Sequence, residues 1–357
     1  MQLQARIPVA ILGATGMVGQ RFIEGLQGHP WFELVAVAAS ERHNGCLYAE
    51  ATPWRLPNSE MPPSVARLPV LACKPEAMPG IRIAFSALPA EAAGEVEVAF
   101  ARAGVAVFSN AKNYRMAPDV PLLIPEVNAD HAAALIQQRK QRGWQGCIVT
   151  NANCSATPLV MALKPLQLRF GLRKVIVTTL QAISGAGYPG LPSYDILDNA
   201  IPYIGGEEEK VESETLKMLG TWQEGHGFIN APLVVSAHCN RVATREGHLE
   251  CVSVELEHDA SLEEVLATWQ NYTPEAQAPT LPSAPAHPLL YRHELDRPQT
   301  LRDRDAGNGM TVTLGRLRHC PILHYKFVVL GHNTIRGAAG GSILNAELCV
   351  HKGLVQP

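Results

Sequence analysis

The sequence predicts an α/β fold in two parts, on three observations. The first third alternates short apolar runs with amphipathic helical stretches, the pattern of a parallel sheet covered by helices. A glycine-rich turn separates the first apolar run from the first helical stretch. Beyond residue 150, β-rich runs follow one another with few crossover helices, which predicts a second, mixed or antiparallel sheet. The length of 357 residues suits about two domains at ~150 residues each.

Taken in order, Pro8 to Leu12 reads as a buried strand, and the helical spacing of Val18, Phe22 and Leu26 begins at Gly16. Leu34 to Ala39 is a second strand, Ile81 to Phe85 another, Glu91 to Ala103 a helix, and Val105 to Phe108 a further strand. Asn44 to Pro79 is Pro-rich without periodicity and reads as an irregular insertion. In the second part Lys174 to Leu180, Leu233 to Ala237, Leu249 to Leu256, Met310 to Leu317 and Tyr325 to Leu330 read as strands. Pro158 to Arg169 and Ser261 to Tyr272 read as helices. A last helix, Ala338 to Leu354, opens on a glycine-rich turn and is expected to return to the first domain.

Composition narrows the function. Hydrophobic residues at 46% and charged residues at 18% exclude a disordered chain. Lys+Arg 30 against Asp+Glu 33, with no basic run, argues against nucleic acid and acidic membrane surfaces as partners. No apolar stretch reaches the ~20 residues of a membrane span, and the start from Met1 to Pro8 lacks a signal-peptide core, so a soluble cytoplasmic protein is expected. The eight cysteines form no C-x-x-C pair and no Cys/His cluster with metal-ligand spacing, so no metal is expected.

Several stretches carry chemistry. Gly13-Ala14-Thr15-Gly16-Met17-Val18-Gly19 joins a strand to a helix, where glycines let a pyrophosphate approach backbone N–H groups at the helix N-terminus. The second strand ends at Ser40-Glu41-Arg42; a hydroxyl and an Arg favour the 2′-phosphate of NADP, and Glu41 is the residue an NAD site would use. Asn153-Cys154-Ser155 precedes Thr157 and Pro158, read as N-cap and first residue of a helix, whose positive end would favour a thiolate at Cys154. A thiolate acyl-transfer site needs an acid/base, a carboxylate anchor and an oxyanion donor, and Gln181, Arg241 and His248 follow in order. Arg241 and His248 sit across a short turn, Ala243 to Gly247. Lys112 and Arg115, after a strand end, would suit a phosphate, and Gly205 to Lys210 reads equally as a solvated helix start or a charged site.

With Asn153-Cys154-Ser155, Gly205-Gly206-Glu207-Glu208-Glu209-Lys210, Arg241 with His248, and Arg304-Asp305-Ala306-Gly307-Asn308-Gly309-Met310 in this order, the chain resembles the aspartate-semialdehyde dehydrogenases of archaea and fungi. The likeness runs from Ile11 to Gly341. It implies a Rossmann-like NADP-binding domain, residues 1–153 plus 337–357, and an α+β catalytic and dimerisation domain with a mixed sheet, 154–336. By the same resemblance Cys154 is the nucleophile, His248 the acid/base, and Gln181 orients the acyl group. Arg241 holds the substrate carboxylate, and Glu207, or Glu208, meets the ammonium, with Asn153 beside them. Lys112, Arg115 and Lys210 make the phosphate site. Gly13, Thr15, Gly16, Met17, Val18, Ser40 and Arg42 would hold NADP, with Ser184, Gly185 and Asn333 near the nicotinamide. The implied reaction converts L-aspartyl-4-phosphate into L-aspartate 4-semialdehyde and phosphate, in a homodimer or homotetramer. A malonyl- or succinyl-CoA reductase, an N-acetyl-glutamyl-phosphate reductase and a non-catalytic NADP-sensing regulator are the alternatives. The first two share the chemistry, and the regulator would have no need for the cysteine, arginine and histidine together.

Overall fold

The computed structural model describes residues 5–275 and 280–356, so the expectations on Met1–Gln4 and Pro357 lie outside the described residues. The first sheet comprises β1 (Ile7–Leu12), β2 (Phe32–Ala39), β3 (Val70–Ala72), β4 (Ile83–Ser86), β5 (Ala106–Ser109), β6 (Leu122–Leu123) and β7 (Cys147–Asn151). Their order is β3-β2-β1-β4-β5-β7-β6, with every pairing parallel. Helices cover both faces, which is why β4, β5 and β7 are buried at every position and read as continuous apolar runs. The C-terminal helix Gly340–His351 packs here, its Ile343 and Leu344 sharing a core with Ile7, Phe22 and Phe85. It is preceded by a wide helical turn, Ile335–Ala339, so the regular helix begins two residues later than the sequence suggested.

The second sheet comprises β8 (Leu172–Gln181), β9 (Ala200–Ile201), β12 (Val234–Val242), β13 (His248–Leu256), β14 (Leu289–Arg292), β15 (Val312–His319) and β16 (Tyr325–Gly331). A small hairpin, β10 (Thr221–Gln223) with β11 (Gly227–Ile229), stands apart. The order β14-β15-β16-β13-β8-β12-β9 mixes parallel and antiparallel pairs, as expected. One face packs under the helices Ala156–Phe170, Glu207–Met218 and Leu262–Gln270. On the other face Ile176, Val234 and Cys251 are exposed, giving strands that alternate buried and open positions.

Two expectations gain detail and one needs correction. The stretch 44–79 is irregular over most of its length, as expected, but also holds the helices Tyr48–Ala51 and Pro63–Ala66 and the edge strand β3, all too short to show a period. The connection 243–247 is the short turn expected between Arg241 and His248, and His248 opens β13; because β8 lies between β12 and β13, that connection crosses the end of β8. Thr157 is not the N-cap. The helix begins at Ala156, and Asn153 does the capping, its Oδ1 accepting from the N–H groups of Ser155 (2.9 Å) and Ala156 (3.0 Å).

Candidate active site

The C-terminal ends of the parallel strands and the upper edge of the second sheet enclose a cleft of about 1160 Å³, room for a dinucleotide and a second small molecule. Its walls include Thr15, Gly16, Met17, Val18, Arg42, Lys112, Arg115, Asn153, Cys154, Ser184, Gly185, Glu207, Lys210, Arg241 and Asn333. Gly13, at φ 80°, lies behind the turn, where a Cβ would stand 2.7 Å from the Ala87 carbonyl oxygen. Only glycine allows that approach. Ser40 is on the exposed loop and does not face the cleft; Arg42 does, together with His43, which the sequence reading passed over. Glu41 turns outward to Lys74, 3.7 Å away.

Cys154 sits in the turn between β7 and the helix Ala156–Phe170. Its Sγ lies 3.2 Å from Nε2 of His248, the first residue of β13. The other ring nitrogen, Nδ1, accepts the backbone N–H of Ala182 at 3.1 Å. A nitrogen that accepts carries no hydrogen, so in the neutral ring the proton is on Nε2, pointing at the sulfur. Burial, then the Arg241 charge, holds His248 down at about 3. In this arrangement the ring donates to Sγ.

The empty site differs from the expectation of a thiolate at Cys154. Burial, then Glu207, pushes its thiol up to about 12 in the empty site, while Arg115 and Arg241 pull the other way. The first N–H groups of the following helix, expected to favour the thiolate, are already satisfied by Asn153. Gly337 packs against the cysteine so closely that a Cβ there would lie 2.8 Å from Cys154 Cβ.

Carboxylates and cations ring the sulfur. Asn153 Nδ2 donates to Glu207 Oε1 at 2.8 Å, and Lys210 Nζ meets Glu207 Oε2 at 3.0 Å. Burial would raise Glu207, but these two partners bring it below the usual carboxylate range. Glu208 instead accepts the Cys239 N–H at the sheet edge, which separates the two candidates. Glu214, two turns beyond Glu207 and missed in the sequence, takes Arg115 Nη1 at 2.9 Å and the Asn153 N–H at 2.6 Å. Its seven-residue offset from Glu207 on one helix face was the available signal.

Arg241 Nη1 donates to the Ala182 carbonyl at 2.7 Å, and no carboxylate pairs with it among the described residues. A Cβ on Gly185 would stand 2.6 Å from that Nη1 and 3.3 Å from His248 Nε2, so glycine there keeps the space over both side chains open. Asn333 joins the two sides, donating to Ser184 Oγ and accepting the Gly247 N–H, both at 2.8 Å. Gln181 pairs in register with Arg241 but does not reach the cleft wall; its amide donates to Thr179 Oγ1 at 3.3 Å.

Comparison with known proteins gives the family. Residues 8–135 match the NAD binding domain, and residues 163–336 the dimerisation domain, of the semialdehyde dehydrogenases. The aspartate-semialdehyde dehydrogenase of Archaeoglobus fulgidus is 49% identical over 98% of this chain and 100% of its own length. That of Cryptococcus neoformans is 48% identical over the whole of both. The crystal structure of the Candida albicans enzyme with NADP superposes with a TM-score of 0.90 at 42% identity, covering 98% of this chain and 100% of that one. A Vibrio cholerae aspartate semialdehyde dehydrogenase II complexed with ASA gives 0.74 at 26% identity, covering 98% and 99%. The chain belongs to the aspartate-semialdehyde dehydrogenase family, whose members interconvert aspartyl phosphate and aspartate semialdehyde.

Proposed function

We propose that the chain carries out the NADP-dependent, reversible reductive dephosphorylation of L-aspartyl-4-phosphate through a thioester on Cys154. The observation that carries this is the 3.2 Å approach of Cys154 Sγ to the His248 Nε2–H, with Arg241, Glu207 and three further cations facing the same cleft. Arg241, free of any carboxylate partner, takes the substrate α-carboxylate, and Glu207 takes the ammonium. Lys112, Arg115 and Lys210 receive the phosphate. Gln181 backs Arg241 from the neighbouring strand.

The thiol sulfur attacks the acyl carbon, the bond from that carbon to the phosphate oxygen breaks, and phosphate leaves with the thiol's proton. Burial first and Glu207 second hold the thiol protonated in the empty site, and substrate ammonium at Glu207 offsets the second of these. NADPH, held by the turn Gly13 to Gly16 and Arg42, would supply the hydride for reduction of the thioester. His248 Nε2–H then donates a hydrogen bond to the oxyanion of the thiohemiacetal and to the departing sulfur. The C–S bond breaks, the aldehyde leaves, and the thiolate regains a proton from solvent. Every atom and charge is accounted for without His248 accepting a proton.

The residues present fit NADP. The turn Gly13 to Gly16 presents the first turn of the helix Met17–Gly25 to the cleft, and a Cβ on Gly16 would meet nothing nearer than 3.6 Å. Arg42 and His43 line the far end, and His43 Nδ1 is buried without a partner among the described residues. Glu41 faces away, so the feature that would favour NAD is displaced. Arg42→Ala is therefore expected to weaken NADP by roughly ten- to hundredfold, the worth of one charge-assisted contact of about 1.5–3 kcal/mol, and to leave NAD nearly unchanged. Fluorescence titration with both dinucleotides reads the difference; equal losses would remove Arg42 from the 2′-phosphate site.

The whole reading is tested by NADP reduction with aspartate semialdehyde. Turnover that requires inorganic phosphate supports it; turnover independent of phosphate, or oxidation of NADPH by malonyl-CoA, overturns it. We further take residues 1–153 plus 337–357 and 154–336 as the two domains, and the chain as a homodimer or homotetramer. Tyr188, Tyr194, Leu197 and Tyr203 stand 65–98% exposed on one segment beside the cleft, more apolar surface than a free loop carries. A monomer by light scattering at micromolar concentration would refute the assembly.

A further inference from the structure

Arg21 and Glu246 have no part in the reaction as derived above. Arg21 is on the helix Met17–Gly25, whose first residues line the cleft. Glu246 is in the connection from β12 to β13, two residues before His248. Both side chains are nearly buried, and Arg21 Nη2 donates to Glu246 Oε1 at 2.8 Å. Glu246 Oε2 lies 3.5 Å from His332 Nε2, and Thr334 Oγ1 is 3.4 Å from Oε1. Arg304 Nη1 donates to the Glu246 carbonyl at 3.1 Å, and the next N–H, that of Gly247, goes to Asn333. Gly247 itself has φ 93°, a conformation that suits glycine and fixes the direction in which the chain enters β13.

A buried ion pair adds little net stability over apolar residues of the same shape, so stability alone is a weak reason for these charges. Burial would raise the Glu246 carboxyl, yet His332 and Arg21 bring it down to about 2, so it is ionised across the working range. The pair's distinctive property is its position. It spans the two sheets, with one end on the helix that begins at the glycine-rich turn and the other on the residues that aim His248.

We propose that Arg21 and Glu246 are positioning residues, whose ion pair ties the helix at the dinucleotide end of the cleft to the connection that holds His248 Nε2 on Cys154 Sγ. This rests on the reading of His248 as the donor to the reacting atoms. The chain of contact is short: Arg21 to Glu246, then two peptide bonds to His248, whose Nε2 must stay within 3.2 Å of the sulfur. Misplacing a reacting group by about an ångström can cost up to ~10²-fold in rate.

The test uses the full chain with Arg21→Gln, Glu246→Gln and the double variant, beside His248→Asn. Each single variant is expected to lower kcat by roughly ten- to hundredfold, with KM for aspartate semialdehyde within about threefold. The double variant should lose no more than the worse single, because one tie is being cut twice. Alkylation of Cys154 by iodoacetamide should need higher pH in all three, since a displaced Nε2–H no longer supports the thiolate. Variants that melt earlier but keep kcat and the alkylation profile would overturn the proposal, as would additive losses. If Glu246→Gln does not fold, Arg21→Gln decides alone, since it leaves Glu246 its contacts with His332 and Thr334. A near-normal His248→Asn enzyme would instead sink the reading of His248; a crippled one beside normal Arg21 and Glu246 variants sinks only this inference.

Discussion

Cys154→Ser is expected to abolish turnover while NADP binding stays within a few-fold. The sulfur is the attacking atom, whereas the glycine-rich turn and Arg42 that would hold the dinucleotide belong to the first sheet and its loops. A serine hydroxyl is a far weaker nucleophile, and nothing around position 154 would remove its proton, because the neighbouring imidazole nitrogen already carries one. Replacing sulfur with the smaller oxygen disturbs little else: the Asn153 cap, the Gly337 contact and the bond from Asn153 to Glu207 do not depend on it. Mass spectrometry of the wild type with acyl phosphate and no dinucleotide should find one acyl adduct, on the peptide that contains Cys154. An adduct on another residue, or a serine variant that turns over, would remove Cys154 from the mechanism.

The same cysteine marks what could and could not be read from the residues alone. Cys154 stands out by its local context, before a helix and among small polar residues, whereas Arg241 and His248, the latter one of 13 histidines, take their roles from the resemblance. The strand Ile7–Leu12 and the glycine-rich turn are equally plain, since a strand buried on both faces must be apolar throughout. β6 and β3, with two and three residues, carry no period and are set by the edges they pair with. The order β13-β8-β12, which places Arg241 and His248 across the end of β8, is a matter of topology that spacing cannot express. The ionisation of the Cys154 thiol departs from expectation for a related reason. Proximity to a helix N-terminus is visible in sequence, but the Asn153 side chain that occupies its N–H groups is a three-dimensional fact. The Ala182 N–H that sets the His248 tautomer leaves no trace in residue type at all.

That backbone contact decides what replacing His248 should do. If the ring passed protons as a free acid/base, any side chain that cannot titrate would cost about 10²–10⁴ in kcat, and the pH–rate profile would lose a limb near neutrality. The geometry favours a different outcome. With Nδ1 accepting from Ala182 and Nε2–H aimed at Cys154, His248 acts as a neutral donor, so a side chain that places an N–H at the same point should preserve much of the rate. His248→Gln, whose amide nitrogen can reach the Nε2 position, is expected to stay within about tenfold of wild type. His248→Asn, one methylene too short, should lose about 10²–10³ in kcat with little change in KM. The wild-type kcat should show no histidine limb between about pH 5 and 8, because the folded ring titrates at about 3. Stability carries the same signature. A folded pKa below the unfolded value of 6.5 means that the unfolded chain binds the extra proton first, so the stability from the neutral ring is complete above 6.5 and is lost as pH falls towards 3. The Gln variant should lack that component of acid sensitivity in urea melts taken at successive pH values. Gln and Asn variants equally inactive, with a wild-type limb near neutrality, would restore proton transfer to His248 and require Ala182 to release the ring during the reaction.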